Sequence, residues 1–313
     1  MTTVLLSLAI VVCWGSWIPV AQAVPGVAQS TRTLYATAGN LAFAAVALVV
    51  GGGAGRVGLG WREFWLPLAG GLVWTAGSVC AFRATESIGL ARASGTWTPL
   101  NIIVAFVFGA LLFGELDGFG VARFAVLAGC LVLVLAGVFL IIGSQNTAAA
   151  SAGAEIAAGP PAHPAAGSGR GARGFVLALG AGVLWGAYFV PAQWADVPSQ
   201  VANFPLAIGM FLAAAVLSAR GRGHAAVRLR PRHGAVQFGS GLLLGVGSVA
   251  LLGLVSRVGT GAGFTIAQLS LLVNASVGIW FFKIPAPGTR AARVALASIL
   301  CAGVGGTVIG AMK

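Results

Sequence analysis

Apolar residues run along this chain in stretches of about twenty, separated by short segments that carry most of the polar and charged side chains. A bilayer core takes about 20 apolar residues per helix. The stretches predict ten spans, near 3–23, 33–52, 64–84, 91–113, 120–143, 174–194, 203–219, 235–255, 260–282 and 291–310. Their periodicity is helical or continuous, and they are too long for barrel strands. Gly and Ala recur throughout, and Pro19, Pro67, Pro99, Pro191 and Pro205 fall inside spans. Small residues let helices approach closely, and kinked helices are tolerated where they line a cavity. Trp61 and Trp65 flank the third span as interfacial anchors. Ala21-Gln22-Ala23 has the look of a signal-peptide cleavage site, but the segment before it lacks a basic start, so the first span is expected to be retained.

The long stretch at 144–173 is rich in Ala, Gly and Pro and reads as a flexible linker. It divides the spans into a first half at 1–143 and a second half at 174–313, five spans each.

Composition narrows the class. Of 313 residues, 58% are hydrophobic and 8% charged, with a mean hydropathy of +0.96. Soluble domains carry roughly a quarter charged residues. The chain is therefore expected to face lipid, which excludes a cytosolic enzyme, a disulfide scaffold and a disordered chain. The four cysteines, Cys13, Cys80, Cys130 and Cys301, fall inside spans and show no metal spacing. Motifs for metal hydrolysis, serine nucleophiles or phosphate cradling are absent, and GRGARG at 169–174 follows a linker instead of a strand. Neither an enzyme nor a cofactor is expected.

The net charge of +12 is unevenly placed. With ten spans, Arg56, Arg62, Arg123, Arg257 and Lys313 lie on the side of the termini, and the other 13 basic residues lie opposite. The positive-inside rule then puts both termini outside and the 219–233 loop, with its RGRGHAAVRLRPRH run, in the cytoplasm. That run has no aromatic interleaving and lies between two spans, so it is an orientation signal and not a nucleic-acid patch.

The chain repeats itself. WGSWIPVAQ at 14–22 matches WGAYFVPAQ at 185–193 at an offset of 171. GLVWTAGSV at 71–79 matches GLLLGVGSV at 241–249 at an offset of 170, and Thr96/Thr265, Gly109/Gly278 and Phe113/Phe282 coincide at 169. Three matches in order at a nearly constant offset predict a tandem duplication. Five spans per copy invert the second copy relative to the first. The expected fold is an all-α membrane protein, ten transmembrane helices as two inverted five-helix repeats. That is the architecture of secondary transporters that alternate access around a midplane site.

No acid sits at an expected midplane. Glu63, Glu115, Asp117, Glu155 and Asp196 lie at span ends or in loops, and Glu86 follows Arg83 by three residues, a spacing for a local ion pair. The substrate is accordingly expected to be neutral, with Glu86 the remaining candidate for proton coupling. Trp14, Trp17 and Gln22 fall within about 140° of one face of the first span. Trp185, Tyr188 and Gln193 repeat that arrangement in the sixth. Trp97 and Asn101 share a face of the fourth span, and at the 169 offset Ile266, Ser270 and Asn274 share a face of the ninth, with Gln268 close by. Asn40 and Trp74 are weaker candidates. Aromatic rings stack on the C–H faces of a sugar, and amides both donate to and accept from its hydroxyls. The same residues also serve helix packing and interhelical hydrogen bonding.

The WGS at Trp14, the LWGAYFVPA ending at Ala192, ATESIGLARASGTWTPLNIIV at 84–104 and the LLFGE ending at Glu115 resemble the glucose/ribose porter family of the drug/metabolite transporter superfamily. The resemblance spans the chain except the 144–173 linker. It implies a multi-pass carrier of the cytoplasmic membrane for a monosaccharide such as glucose, ribose or rhamnose, with a proton as a candidate co-substrate. An exporter of a drug or metabolite and a non-transporting scaffold or sensor are the competing readings.

Overall fold

A computed structural model describes residues 1–51, 60–88, 90–156, 168–220, 229–281, 287–290, 292–294, 297 and 308. Among these the regular structure is entirely helical: α1 (Thr2–Gln22), α2 (Gln29–Val50), α3 (Trp61–Ile88), α4 (Leu90–Phe113), α5 (Val121–Ile156), α6 (Ser168–Ala187), α7 (Val190–Trp194), α8 (Ser199–Arg220), α9 (Pro231–Val258), α10 (Thr260–Gln268) and α11 (Ser270–Trp280). Seven helical stretches are long and apolar enough to cross a membrane, in α1, α2, α3, α4, α6–α7, α8 and α9. The protein is a multi-pass membrane protein. The expected tenth span, 291–310, lies almost wholly outside the described residues.

Two expected spans are broken helices. Pro191 has no N–H to offer the carbonyl of Ala187, so the sixth span ends as α6, turns through Tyr188 and Phe189, and resumes as α7. The ninth is interrupted at Leu269, where Leu269 N bonds Ile266 O and Leu272 N bonds Leu269 O, both tight three-residue steps. Helix α5 runs on to Ile156 and α6 starts at Ser168, because Ala-rich sequence extends a helix freely. Residues 157–167 lie outside the described residues.

The helices pack as two groups, and each group mixes the halves of the chain. α1 packs on α9, α9 on α2 and α1 on α11, while α3 packs on α6, α3 on α8 and α4 on α6. The groups meet along α2 with α8, α4 with α10, and α8 with α9. Glycines set the closeness of the crossings. A Cβ on Gly241 would stand 2.8 Å from the Cα of Gly39, joining α9 to α2, and one on Gly209 would stand 3.2 Å from the Cα of Gly71, joining α8 to α3. Gly39 and Gly209, like Gly71 and Gly241, are 170 residues apart.

Large apolar side chains turn outward along the helices. Val4, Leu5, Leu8 and Val12 form an exposed stripe on α1, as do Val176, Leu179 and Val183 on α6. With lipid as solvent, such stripes need no protein partner. Between the groups lies the buried cluster that includes Trp74, Tyr188, Phe189, Met210, Leu244 and Phe264.

Candidate functional site

Aromatic rings pair both across the seam between the groups and within one of them. Trp17 of α1 and Trp74 of α3 face each other with centroids 6.5 Å apart. Trp97 of α4 meets Trp185 of α6 edge-on at 5.4 Å. The Trp185 indole N–H donates to Trp74 O at 3.1 Å, and the same indole lies against Gly77, where a Cβ would come within 2.7 Å. Trp14 lies against Gly247 in the same manner, yet its indole nitrogen has no partner. The repeated Trp-Gly segments therefore hold one satisfied and one unsatisfied indole.

Buried polar atoms without a partner occur on several helices, those of Asn40, Asn203, Ser218 and Gln237 among them. Besides Trp14 Nε1 they include Asn101 Oδ1 and the Tyr188 hydroxyl, on residues only 4% and 3% exposed. An unpartnered buried polar atom costs about 1–3 kcal/mol. Three of them, each about one turn from a ring of the tilted Trp17–Trp74 or the edge-on Trp97–Trp185 pair, ask for a polar guest or water. Ser270 is buried at the start of α11, and Gln268 and Asn274 are half-buried on α10 and α11.

The remaining sequence candidates lie elsewhere. Gln22 is the last residue of α1 and is exposed. Gln193 of α7 accepts a hydrogen bond from the Thr260 hydroxyl at 2.7 Å. Glu86 is exposed at one end of α3, where it lines a cavity of about 340 Å³ between α2, α3 and α8. The cavity wall includes Gln29 and Thr33 of α2, Thr75 and Ser78 of α3, and Leu217 of α8. Thr33 donates to Gln29 O, Thr75 to Gly71 O or Met210 O, and Ser78 to Trp74 O. Their hydroxyl protons are engaged at home, so their oxygens offer acceptor lone pairs to a guest that donates. Trp74 and Thr75 are neighbours, so one turn of α3 carries both the ring cluster and the inner wall of the cavity.

This cavity lies at the end of the molecule where α1 finishes, the Gln22 face. The opposite end is the Met1 face. There Phe189 stacks on Phe264 at 4.8 Å, and the Glu115 carboxylate accepts from Thr260 N and, at 3.1 Å, from Gly261 N. Thr33, Thr75, Ser78 and Thr260 were not singled out by sequence. Their signal is faint, since a Thr or Ser in a helix commonly bonds its own backbone.

A family model described as "Sugar transport protein" matches residues 5–312. The chain belongs to this sugar-transport family. It is 24% identical over 306 residues to a "Putative sugar uptake protein" of Bacillus cereus, covering 98% of this chain and 97% of that one. It is 26% identical over 290 residues to a "Putative ribose uptake protein RbsU" of Lactiplantibacillus plantarum, covering 90% and 89%. A "Probable glucose uptake protein GlcU" of Priestia megaterium is 22% identical over 216 residues, covering 69% and 68%. A solved crystal structure shares the fold with a TM-score of 0.69 at 17% identity, covering 98% of both chains. The family is one of transporters and not of enzymes, in keeping with the sugar chemistry expected of the Trp and amide positions.

Proposed function

We infer that this chain carries a monosaccharide of ribose or glucose size across the cytoplasmic membrane by alternating access. One observation carries the reading: Trp14 Nε1, Asn101 Oδ1 and the Tyr188 hydroxyl are buried and unpartnered beside the Trp17–Trp74 and Trp97–Trp185 pairs. A sugar supplies donors and acceptors to such atoms and C–H faces to such rings. Uptake is favoured over export by the names of the relatives from Bacillus cereus and Lactiplantibacillus plantarum.

In this reading the chain has ten spans in two inverted halves, 1–143 and 174–313, joined through the linker at 144–173. The repeated segments and the Gly39/Gly209 and Gly71/Gly241 correspondence support it. Substrate lies among Trp14, Trp17, Trp97, Asn101, Trp185, Tyr188, Ser270 and Asn274, with Gln22, Gln193 and Gln268 toward the ends of the path. The two mixed helix groups are the bodies that rock, moving against each other along the α2–α8, α4–α10 and α8–α9 contacts. The Gln22 face is cytoplasmic by its basic residues, so the cavity there is the inward opening. Glu86 on its wall is the acid positioned to exchange a proton with the cytoplasm.

The test is saturable uptake of labelled D-ribose and D-glucose into liposomes holding the purified chain, with and without an imposed proton gradient. Asn101→Ala should lower uptake tenfold or more, since it strips a buried polar contact worth about 1.5 kcal/mol or more. Failure of pentoses, hexoses and deoxysugars alike to enter or compete would sink the reading.

A further inference from the structure

We propose that Glu115 is the bolt that holds the Met1 face shut, and that the transport path opens to that side when this carboxylate lets go of α10. The inference rests on the alternating-access reading above, though its first test needs no sugar.

Gly114, with φ of 60°, ends α4 and turns the chain so that the Glu115 side chain folds back across the seam. Its two oxygens accept from the backbone N–H groups of Thr260 and Gly261, the first two residues of α10. These groups have no partner within their own helix, and a carboxylate there also meets the positive end of the helix dipole. Thr260 is fully buried, and its hydroxyl is held at the same time by Gln193 of α7. Both α4 and α7 belong to the α3 group, whereas α10 packs on α9 and α1 and meets α4 across the boundary between the groups. Three hydrogen bonds thus cross between the two bodies at one small spot. Space for the carboxylate is provided by Gly109, where a Cβ would collide with it.

At the opposite face the corresponding positions carry other side chains. By the repeat offsets of 169 and 171, Glu115 corresponds to Ile284, Thr260 to Ala91 and Gln193 to Gln22. Neither a carboxylate nor a hydroxyl is present in the second set, and Gln22 is exposed. The duplication supplied two equivalent ends, and only one of them carries the bolt. These bonds hold the Met1 face shut, and Glu115 sets how rarely that face opens. A carrier whose binding-competent form is a small fraction of the whole shows an apparent affinity reduced by that fraction. Loosening the bolt should consequently tighten apparent affinity for sugar offered at the Met1 face, the opposite of what simple damage does.

The experiment uses the full chain in liposomes, with its native cysteines replaced and spin labels at Asp117→Cys and Arg257→Cys. Both positions are exposed at the Met1 face, one on each body. Glu115→Gln removes the charge and one acceptor, and should shift the label pair toward a longer separation. Glu115→Asp should restore most of the short one. In uptake assays Glu115→Gln should lower KM for D-ribose at the Met1 face about fivefold or more, within the usual range of conformational coupling. Where Glu115→Gln does not fold, Thr260→Val, which deletes only the Gln193 bond, serves in the same measurement with a smaller shift. Unchanged label distances in a folded variant overturn the proposal. A distance shift with no movement of any sugar leaves the gate standing and refutes the sugar reading instead.

Discussion

In the inverted-repeat reading the two faces of this molecule are equivalent ends, yet they are held by different chemistry. At the Met1 face the helix groups are joined by Glu115, Thr260 and Gln193 and by the Phe189–Phe264 stack. At the Gln22 face the cited polar bonds stay within one group: Arg32 donates to the carbonyls of Val24 and Val27, and Gln237 to Ala21 O at 2.7 Å. The gap left between α2, α3 and α8 on that face is the cavity. Bonds that cross between bodies close a face, and bonds confined to one body leave it free to part. Pseudo-symmetry in sequence therefore does not make the two states equal in energy.

The comparison can be broken most severely at what the faces share. Gly241→Val would drive a side chain into Ala36 O and the Cα of Gly39, where α9 crosses α2. We expect a loss of about 3 kcal/mol, read as a fall in Tm in detergent, with both faces disordered together. Survival of a well-folded Gly241→Val chain would show that the crossing is not a common pivot. The second test strips the cavity wall alone. The double change Thr75→Val and Ser78→Ala removes two oxygens from the Gln22 face, and should raise KM for sugar offered there about tenfold, with Tm nearly unchanged. An equal rise at both faces would mean that this cavity belongs to the central site.

The mildest test exploits equivalent glutamines. Gln193→Ala breaks the Thr260 bond and should cost about 1 kcal/mol in Tm or gate closure. Gln22→Ala should stay within about 0.5 kcal/mol, because that side chain is exposed at the end of α1. Equal effects from the two glutamines would dissolve the asymmetry between the faces.

Much of the candidate site was readable in advance, for identifiable reasons. Trp14, Trp17, Trp97, Asn101, Trp185 and Tyr188 stand out because Trp, Tyr and Asn are conspicuous in lipid-facing sequence and recur at a fixed offset. Glu115 was visible in the LLFGE motif but read as a loop acid, since its partners lie 145 residues further along the chain. Thr75 and Ser78 were hidden by their ordinary composition. The breaks at Tyr188 and Leu269 differ in legibility: Pro191 announces the first, while no residue type announces the second.

By itself the sequence determined the class, most of the described helices and the repeated segments. Those follow from local rules, namely how long an apolar run must be to cross lipid, which residues a helix excludes, and which segments repeat. Only the tertiary structure decided that the packed bodies mix the two halves, that one indole of the Trp14/Trp185 pair is satisfied and the other is not, and that one face carries bonds between the helix groups while the other holds a cavity. These depend on contacts between residues far apart in the chain. Repeat matching aligns such residues with their counterparts but does not reveal what they touch.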